Sequence, residues 1–399
     1  MTAKHFRLLL PLVLMPLITF SQSNQPNAMT NIKPFQIKVP QAVIDDVKSR
    51  VQKTNWPNTI EGQNYGGPGI NEMKEVAAKF QKFDWRKAEA KLNSLPNFIT
   101  EIDGQTIHFI HLKSKKKDAT PLMLIHGWPG SIVEFLDVIQ PLTEGEPAFD
   151  VVVPSVPGFG FSGPTKTTGW NYNRIAGTLI QLMDKLGYSR FAVQGGDAGA
   201  ILGPAMARLA PEKFIGVHVN AATFGFMPFG PIDEAISSKF TPAEKERVAR
   251  IGDFMQTKFG FNVLQSHQPQ LLAFALADSP VGQMAWISQL FSPEMEEQFF
   301  TNFMIYWSTG TMASSMRLYY EAAHDPSMWA SMKNSGVPTG VAVYQDGDIA
   351  IRHFSEQANT IVRWKEYPVG GHYAVMSVHD VWLNDVREYF SDLKKGKLH

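Results

Sequence analysis

The sequence predicts an α/β protein: a mostly parallel sheet covered by helices on both faces, preceded by a helical extension and interrupted by a helical insertion. Three observations lead there. Short β-rich runs bounded by turn residues alternate with helical patterns through the first half. Helical patterning then takes over from about Ala222 to Gly336, and strand patterning returns at Gly340 to Tyr344 and at Ile361 to Trp364. Finally, Phe191 to Gln194 runs through a glycine-flanked junction straight into a helix from Ala198 to Leu209, which Pro211 follows.

Taken in order, the first segment is 1–22. Lys4 and Arg7 precede a 13-residue, largely apolar run from Leu8 to Phe20, after which the chain turns polar at Ser21 to Asn24. That is the pattern of a cleaved signal peptide, and it predicts an exported protein, periplasmic or secreted, with no stable membrane insertion after cleavage. A 13-residue run broken by Pro11 and Pro16 is too short to serve as a membrane anchor, which needs about 20 residues. Segment 23–98 reads as the helical extension. Ile44, Val47 and Val51 recur at helical spacing between Gln41 and Lys53, and a second helical pattern runs from Asn71 to Leu92. The first part of the sheet domain, 99–221, carries strands at Ile99 to Ile102, Thr106 to Leu112, Leu122 to Ile125 and Val151 to Val153. The insertion, 222–336, is rich in Phe, Met and Trp, and the remainder, 337–399, completes the sheet.

The composition narrows function. The 399 residues are 44% hydrophobic, and 37 basic residues balance 37 acidic ones, so no broad field attracts nucleic acid or anionic lipid. With no cysteine, disulfides, thiolate metal sites and a cysteine nucleophile are excluded. His108 and His111 fall on opposite faces of a strand and make a poor metal pair, and no phosphate-binding glycine loop follows a strand, so no cofactor is implied.

The chemistry concentrates at three junctions. Gly195-Gly196-Asp197-Ala198-Gly199 places Asp197 at the apex of a sharp strand-to-helix turn, where small neighbours allow close backbone approach. An aspartate before a helix is also an ordinary N-cap. The form with serine at the apex, Gly-x-Ser-x-Gly, occurs nowhere in the chain, which disfavours an esterase of the usual type. Upstream, Leu122 to Ile125 leads into His126-Gly127-Trp128-Pro129-Gly130, a loop able to aim the Trp128 N–H at the apex, with the Ala198 N–H as the second arm of an oxyanion hole. Trp128-Pro129 is a candidate cis bond. Downstream, His372 follows Gly370-Gly371, and Asp348 or Asp346 ends the Gly340 to Tyr344 strand. The order nucleophile, acid, histidine is that of the α/β-hydrolases, with Asp348 preferred as the acid and Asp346 the alternative.

These segments resemble the microsomal-type epoxide hydrolases of the α/β-hydrolase superfamily across nearly the whole mature sequence. The matching stretches include Pro34-Phe35-Gln36-Ile37, Phe83-Asp84-Trp85, His126 to Ser131, Pro157 to Ser162, Gly195 to Gly199, Asp278 to Gly282, Tyr306 to Thr311, Val337 to Gly340 and Gly370-Gly371-His372. The resemblance implies that Asp197 attacks an epoxide carbon, that His372 and its acid activate water against the resulting ester, and that the partners are a small-molecule epoxide and water. It also implies two cap tyrosines as proton donors. Tyr319 matches one position, whereas Phe261 stands at the other. Gln345 and Ser377 also depart from the family pattern, replacing a proline and an acidic residue. Two alternatives share parts of this pattern. A dehalogenase would use the same Asp and His chemistry, and a non-catalytic homologue would use the insertion only to bind an apolar ligand.

Overall fold

The computed structural model describes residues 31–398, apart from 61, 64, 229 and 329–331; the expected signal peptide lies outside this range. Nine strands form one sheet: β1 (Lys33–Pro34), β2 (Asn97–Ile102), β3 (Gln105–Leu112), β4 (Thr120–Ile125), β5 (Phe149–Pro154), β6 (Phe191–Gly196), β7 (Phe214–Asn220), β8 (Pro338–Asp346) and β9 (Thr360–Gly371). Their spatial order is β1-β2-β3-β5-β4-β6-β7-β8-β9. The first three pairings are antiparallel, and from β5 to β9 every pairing is parallel. Leu122 to Ile125 and Val151 to Val153 are buried throughout, as parallel strands covered on both faces require.

Between β1 and β2 come α1 (Gln41–Gln52), α2 (Ile70–Lys82) and α3 (Trp85–Asn93). The helical pattern from Asn71 to Leu92 is therefore two helices, not one. Asp84 breaks it, because its carboxylate accepts from the Arg86 and Lys87 N–H groups and starts a new helix. The extension is also not purely helical. Lys33 and Pro34 pair with Ile99 and Phe98 to form an edge strand, and β2 already begins at Asn97. Proline is tolerated there because an edge position leaves its missing N–H unneeded.

Helices α4 (Ile139–Glu144), α5 (Tyr172–Lys185) and α6 (Ala198–Leu209) accompany the central strands. The insertion after β7 holds α7 (Glu234–Ser237), α8 (Pro242–Thr257), α9 (Gly260–His267), α10 (Pro269–Asp278), α11 (Pro280–Ser288), α12 (Glu296–Thr309) and α13 (Met312–Ala323), and α14 (Arg352–Ala358), α15 (Ala374–Ser377) and α16 (His379–Lys394) follow. A continuous apolar core joins extension, sheet and insertion, with Phe80 of α2 packed edge-on against Phe300 and Phe303 of α12. A second, smaller core of Met227, Phe240, Ile251, Ile349 and Ile351 binds α8 to the loop after β8. Arg250 of α8 reinforces that junction by donating to the backbone oxygens of Gln345 and Asp348.

Candidate active site

β6 ends at Gly196 and α6 starts at Ala198, so Asp197 alone makes the turn between them. Its φ of 53° lies in the left-handed region, where a non-glycine residue costs on the order of 1–3 kcal/mol. Its side chain makes no capping bond to α6. The turn is possible only because its neighbours are bare: a Cβ on Gly195 would sit 2.4 Å from Gly199 backbone atoms, and one on Gly199 would sit 2.1 Å from the Ile125 oxygen. The strain has a geometric result, since it lifts the carboxylate off the helix and into a cavity of about 520 Å³.

Three chain segments meet Asp197 there. The Trp128 N–H donates to Oδ1 at 3.0 Å, and His372 Nε2 lies 3.7 Å from Oδ2. Ala198, the first residue of α6, lines the same cavity. The loop that supplies Trp128 is clasped from α12, where Asn302 donates to the Pro129 oxygen and the Tyr306 hydroxyl to the Gly130 oxygen, each at 2.7 Å. The Trp128–Pro129 bond is cis.

The two candidate acids part company. Asp348 is buried and lines the cavity, with Oδ2 accepting from the Tyr344 N–H at 2.8 Å. Burial pushes its carboxyl up to about 7, only partly offset by the Tyr344 and Ala221 N–H groups and by Arg250 and Arg247. Asp346 is exposed at the end of β8, paired in register with Gly371. Asp348 Oδ1 has no hydrogen-bond partner among the described residues, and none joins it to His372. The structure thus brings Asp348 and His372 to one cavity without closing the bond between them.

From the insertion, Tyr319 of α13 and Phe261 of α9 face Trp128. Phe261 stacks on the indole at 5.5 Å with planes 8° apart, and Tyr319 stands edge-on to both rings, 5.9 Å from Trp128 and 6.0 Å from Phe261. Burial, and then the negative Asp197, push the Tyr319 phenol well above its ordinary value, so it holds its proton at neutral pH. The remaining wall is largely apolar, including Ile201, Met227, Phe254 and Leu290. A carboxylate with an N–H on one oxygen, an imidazole near the other and a phenol overhead can attack an electrophilic carbon, stabilise a tetrahedral oxyanion and protonate a leaving oxygen.

Sequence reasoning missed four polar residues here. Tyr172 is buried in the cavity wall, and Tyr306, Tyr373 and Glu134 lie close enough to Asp197 for its charge to act on them. Glu134 was hidden by its spacing: Ser131 and Glu134 have the capping-box interval, which reads as an exposed helix start. Tyr306 fell within a segment singled out for resemblance but carried no recognisable chemical pattern.

Comparison with known proteins gives the same picture at the level of the chain. Residues 32–135 match the family described as epoxide hydrolase N terminus, and residues 120–313 match the alpha/beta hydrolase fold. A Stigmatella aurantiaca protein provisionally named as an epoxide hydrolase is 37% identical over 91% of this chain and 86% of its own. Juvenile hormone epoxide hydrolase 1 of Ctenocephalides felis is 30% identical over 97% and 91%, respectively. Among solved structures, the epoxide hydrolase of Aspergillus niger superposes with a TM-score of 0.81 at 29% identity, covering 92% of this chain and 97% of the other.

Proposed function

Because the chain belongs to the epoxide hydrolase family of the α/β-hydrolase fold, we propose that Asp197 opens an apolar epoxide through a covalent ester, which water activated by His372 then hydrolyses to a vicinal diol. The observation that carries this reading is the strained Asp197, whose two carboxylate oxygens face the Trp128 N–H and His372. In the first step one Asp197 oxygen bonds to an epoxide carbon as that C–O bond breaks, and Tyr319 gives a hydrogen bond or proton to the departing alkoxide. In the second step water attacks the Asp197 carboxyl carbon, its proton passes to His372, and the Trp128 and Ala198 N–H groups hold the oxyanion until it collapses, breaking the ester C–O bond and returning the His372 proton to the departing diol oxygen. Asp348 supports the imidazolium, a role that requires its ring-facing bond to close during turnover.

The mostly apolar cavity wall supports an apolar epoxide. A dehalogenase would need a halide cradle where Tyr319 stands, and the full-length relatives carry epoxide hydrolase names. The division of labour is tested with His372→Gln and styrene oxide. That variant should gain the mass of the substrate on Asp197 and stall, whereas a variant that never acquires the adduct, from an epoxide the parent consumes, would refute it.

A further inference from the structure

Glu134 is a buried carboxyl to which the reaction above assigns no role. It sits in the short 3-10 turn Ile132–Phe135, 7% exposed, and folds back beneath the loop that carries Trp128. The Gly127 N–H lies near enough to its carboxyl group to favour the ionised form, and Gly130 approaches so closely that a Cβ there would lie 1.7 Å from Oε1. The same loop presses on Asp197, since a Cβ on Gly127 would lie 2.3 Å from Asp197 Oδ1. One layer of backbone, Gly127 to Gly130, therefore touches both carboxyl groups. Asp197 opens to the cavity, and Glu134 does not.

Polar atoms near this layer lack protein partners. Glu134 Oε1, the Tyr373 hydroxyl and His372 Nε2 are all buried without a hydrogen-bond partner among the described residues. Tyr373 directly follows His372, and its ring is fixed by stacking on Phe291 at 4.8 Å. The helix that begins right after Tyr373, Ala374–Ser377, packs against the turn Ile132–Phe135, which brings Tyr373 and Glu134 to the same side of the Trp128 loop. Buried polar atoms of this kind are satisfied by ordered water in native proteins; of these, His372 Nε2 lies 3.7 Å from Asp197 Oδ2, and the charge of Asp197 acts on Glu134 and Tyr373.

We propose that Glu134 is a positioning residue for ester hydrolysis: its carboxyl group fixes the loop bearing the Trp128 N–H and, with the Tyr373 hydroxyl, holds the water that attacks the Asp197 ester. Burial, and then the negative charge of Asp197, push the Glu134 carboxyl well above the usual carboxylate range, so it serves as a neutral donor and acceptor. The proton from the attacking water goes to His372 and returns to the diol alkoxide as the tetrahedral intermediate collapses. Glu134 keeps its own proton throughout, and its exchange for an isosteric amide should preserve function.

The inference rests on the ester mechanism, so its test measures ester formation and ester hydrolysis separately, in single turnovers of styrene oxide quenched for mass spectrometry. Glu134→Gln should hydrolyse the ester within about threefold of the parent and keep the parent's pH profile, as a neutral isostere predicts. Tyr373→Phe and Glu134→Leu should form ester at rates closer to the parent's while hydrolysing it roughly ten- to a hundredfold more slowly. A Glu134→Gln enzyme that stalls as ester would overturn the neutral role, since a charge would then be required. Should Glu134→Leu not fold, Tyr373→Phe decides, because hydrolysis at the parental rate in that variant removes the water-holding pair. Absence of ester in the parent and in His372→Gln defeats the mechanism itself, whereas ester that turns over normally in Tyr373→Phe defeats only this inference.

Discussion

Tyr319 and Phe261 stand edge to face above the Trp128 indole, and of these two only Tyr319 carries a hydroxyl. On the proposed mechanism the departing alkoxide takes its proton from Tyr319, and Phe261 stands where a second phenol would pair with it. A donor aimed at developing charge contributes about 3 kcal/mol, so Tyr319→Phe should slow ester formation roughly a hundredfold while leaving ester hydrolysis near the parental rate. Rapid-quench alkylation rates check this, and an unchanged rate would mean that another group protonates the alkoxide. At this scale the sequence was most legible where chemistry is tied to backbone form. Asp197 could be read because its glycines announce a sharp turn, whereas Tyr172 and Tyr373 look in sequence like any aromatic residue awaiting a core. Only three-dimensional proximity to a carboxylate distinguishes them.

The loop after β8 shows how one element sets the protonation of the site. Asp348 is held inside by Ile349 and Ile351 of the smaller core, by Arg250 from α8 and by the Tyr344 N–H, while Asp346, two residues earlier, points to solvent. Sequence favoured Asp348 but kept Asp346 as the alternative, because a strand end does not say which residue turns inward; the apolar pair after Asp348 supplies that direction. Burial raises its carboxyl to about 7, so the folded state holds the proton more tightly than the unfolded chain. Native stability therefore falls as pH rises from the ordinary carboxyl range through about 7, and the anion that would support His372 on the proposed mechanism appears over the upper part of that window. Ester hydrolysis should rise with pH around 7, with ester accumulating at about pH 5. Asp348→Asn should lose this rise. It should also gain stability over the parent, little at about pH 4 and on the order of 4 kcal/mol at about pH 8, as measured by denaturant midpoints. A stability difference that does not change with pH would show that Asp348 does not titrate in this way.

Across the whole molecule, the extension is built into the sheet and the insertion instead of hanging beside them. Lys33 and Pro34 extend the sheet edge, Arg50 of α1 reaches Asp278 of α10, and Phe80 of α2 enters the aromatic cluster of α12. Because α12 also clasps the Trp128 loop through Asn302 and Tyr306, the extension braces the active site at second hand. Phe80 is 1% exposed, and Phe80→Ala should cost about 3–5 kcal/mol of stability in denaturant titrations; a loss below about 1 kcal/mol would show that the extension is only loosely docked. The alternation of strands and helices made the class and the insertion readable, but β1 and β7 were not, since two residues ending in proline give no periodicity and Phe214 to Asn220 mixes glycine and histidine into an otherwise apolar run. On the proposed mechanism Asp197, and not water, makes the first bond to the epoxide. A single turnover in heavy-oxygen water, with enzyme in excess over styrene oxide, tests it most directly. The label should enter the Asp197 carboxylate and be absent from the first diol released; label in that diol, with none on Asp197, would show that water opens the ring directly and would contradict the account.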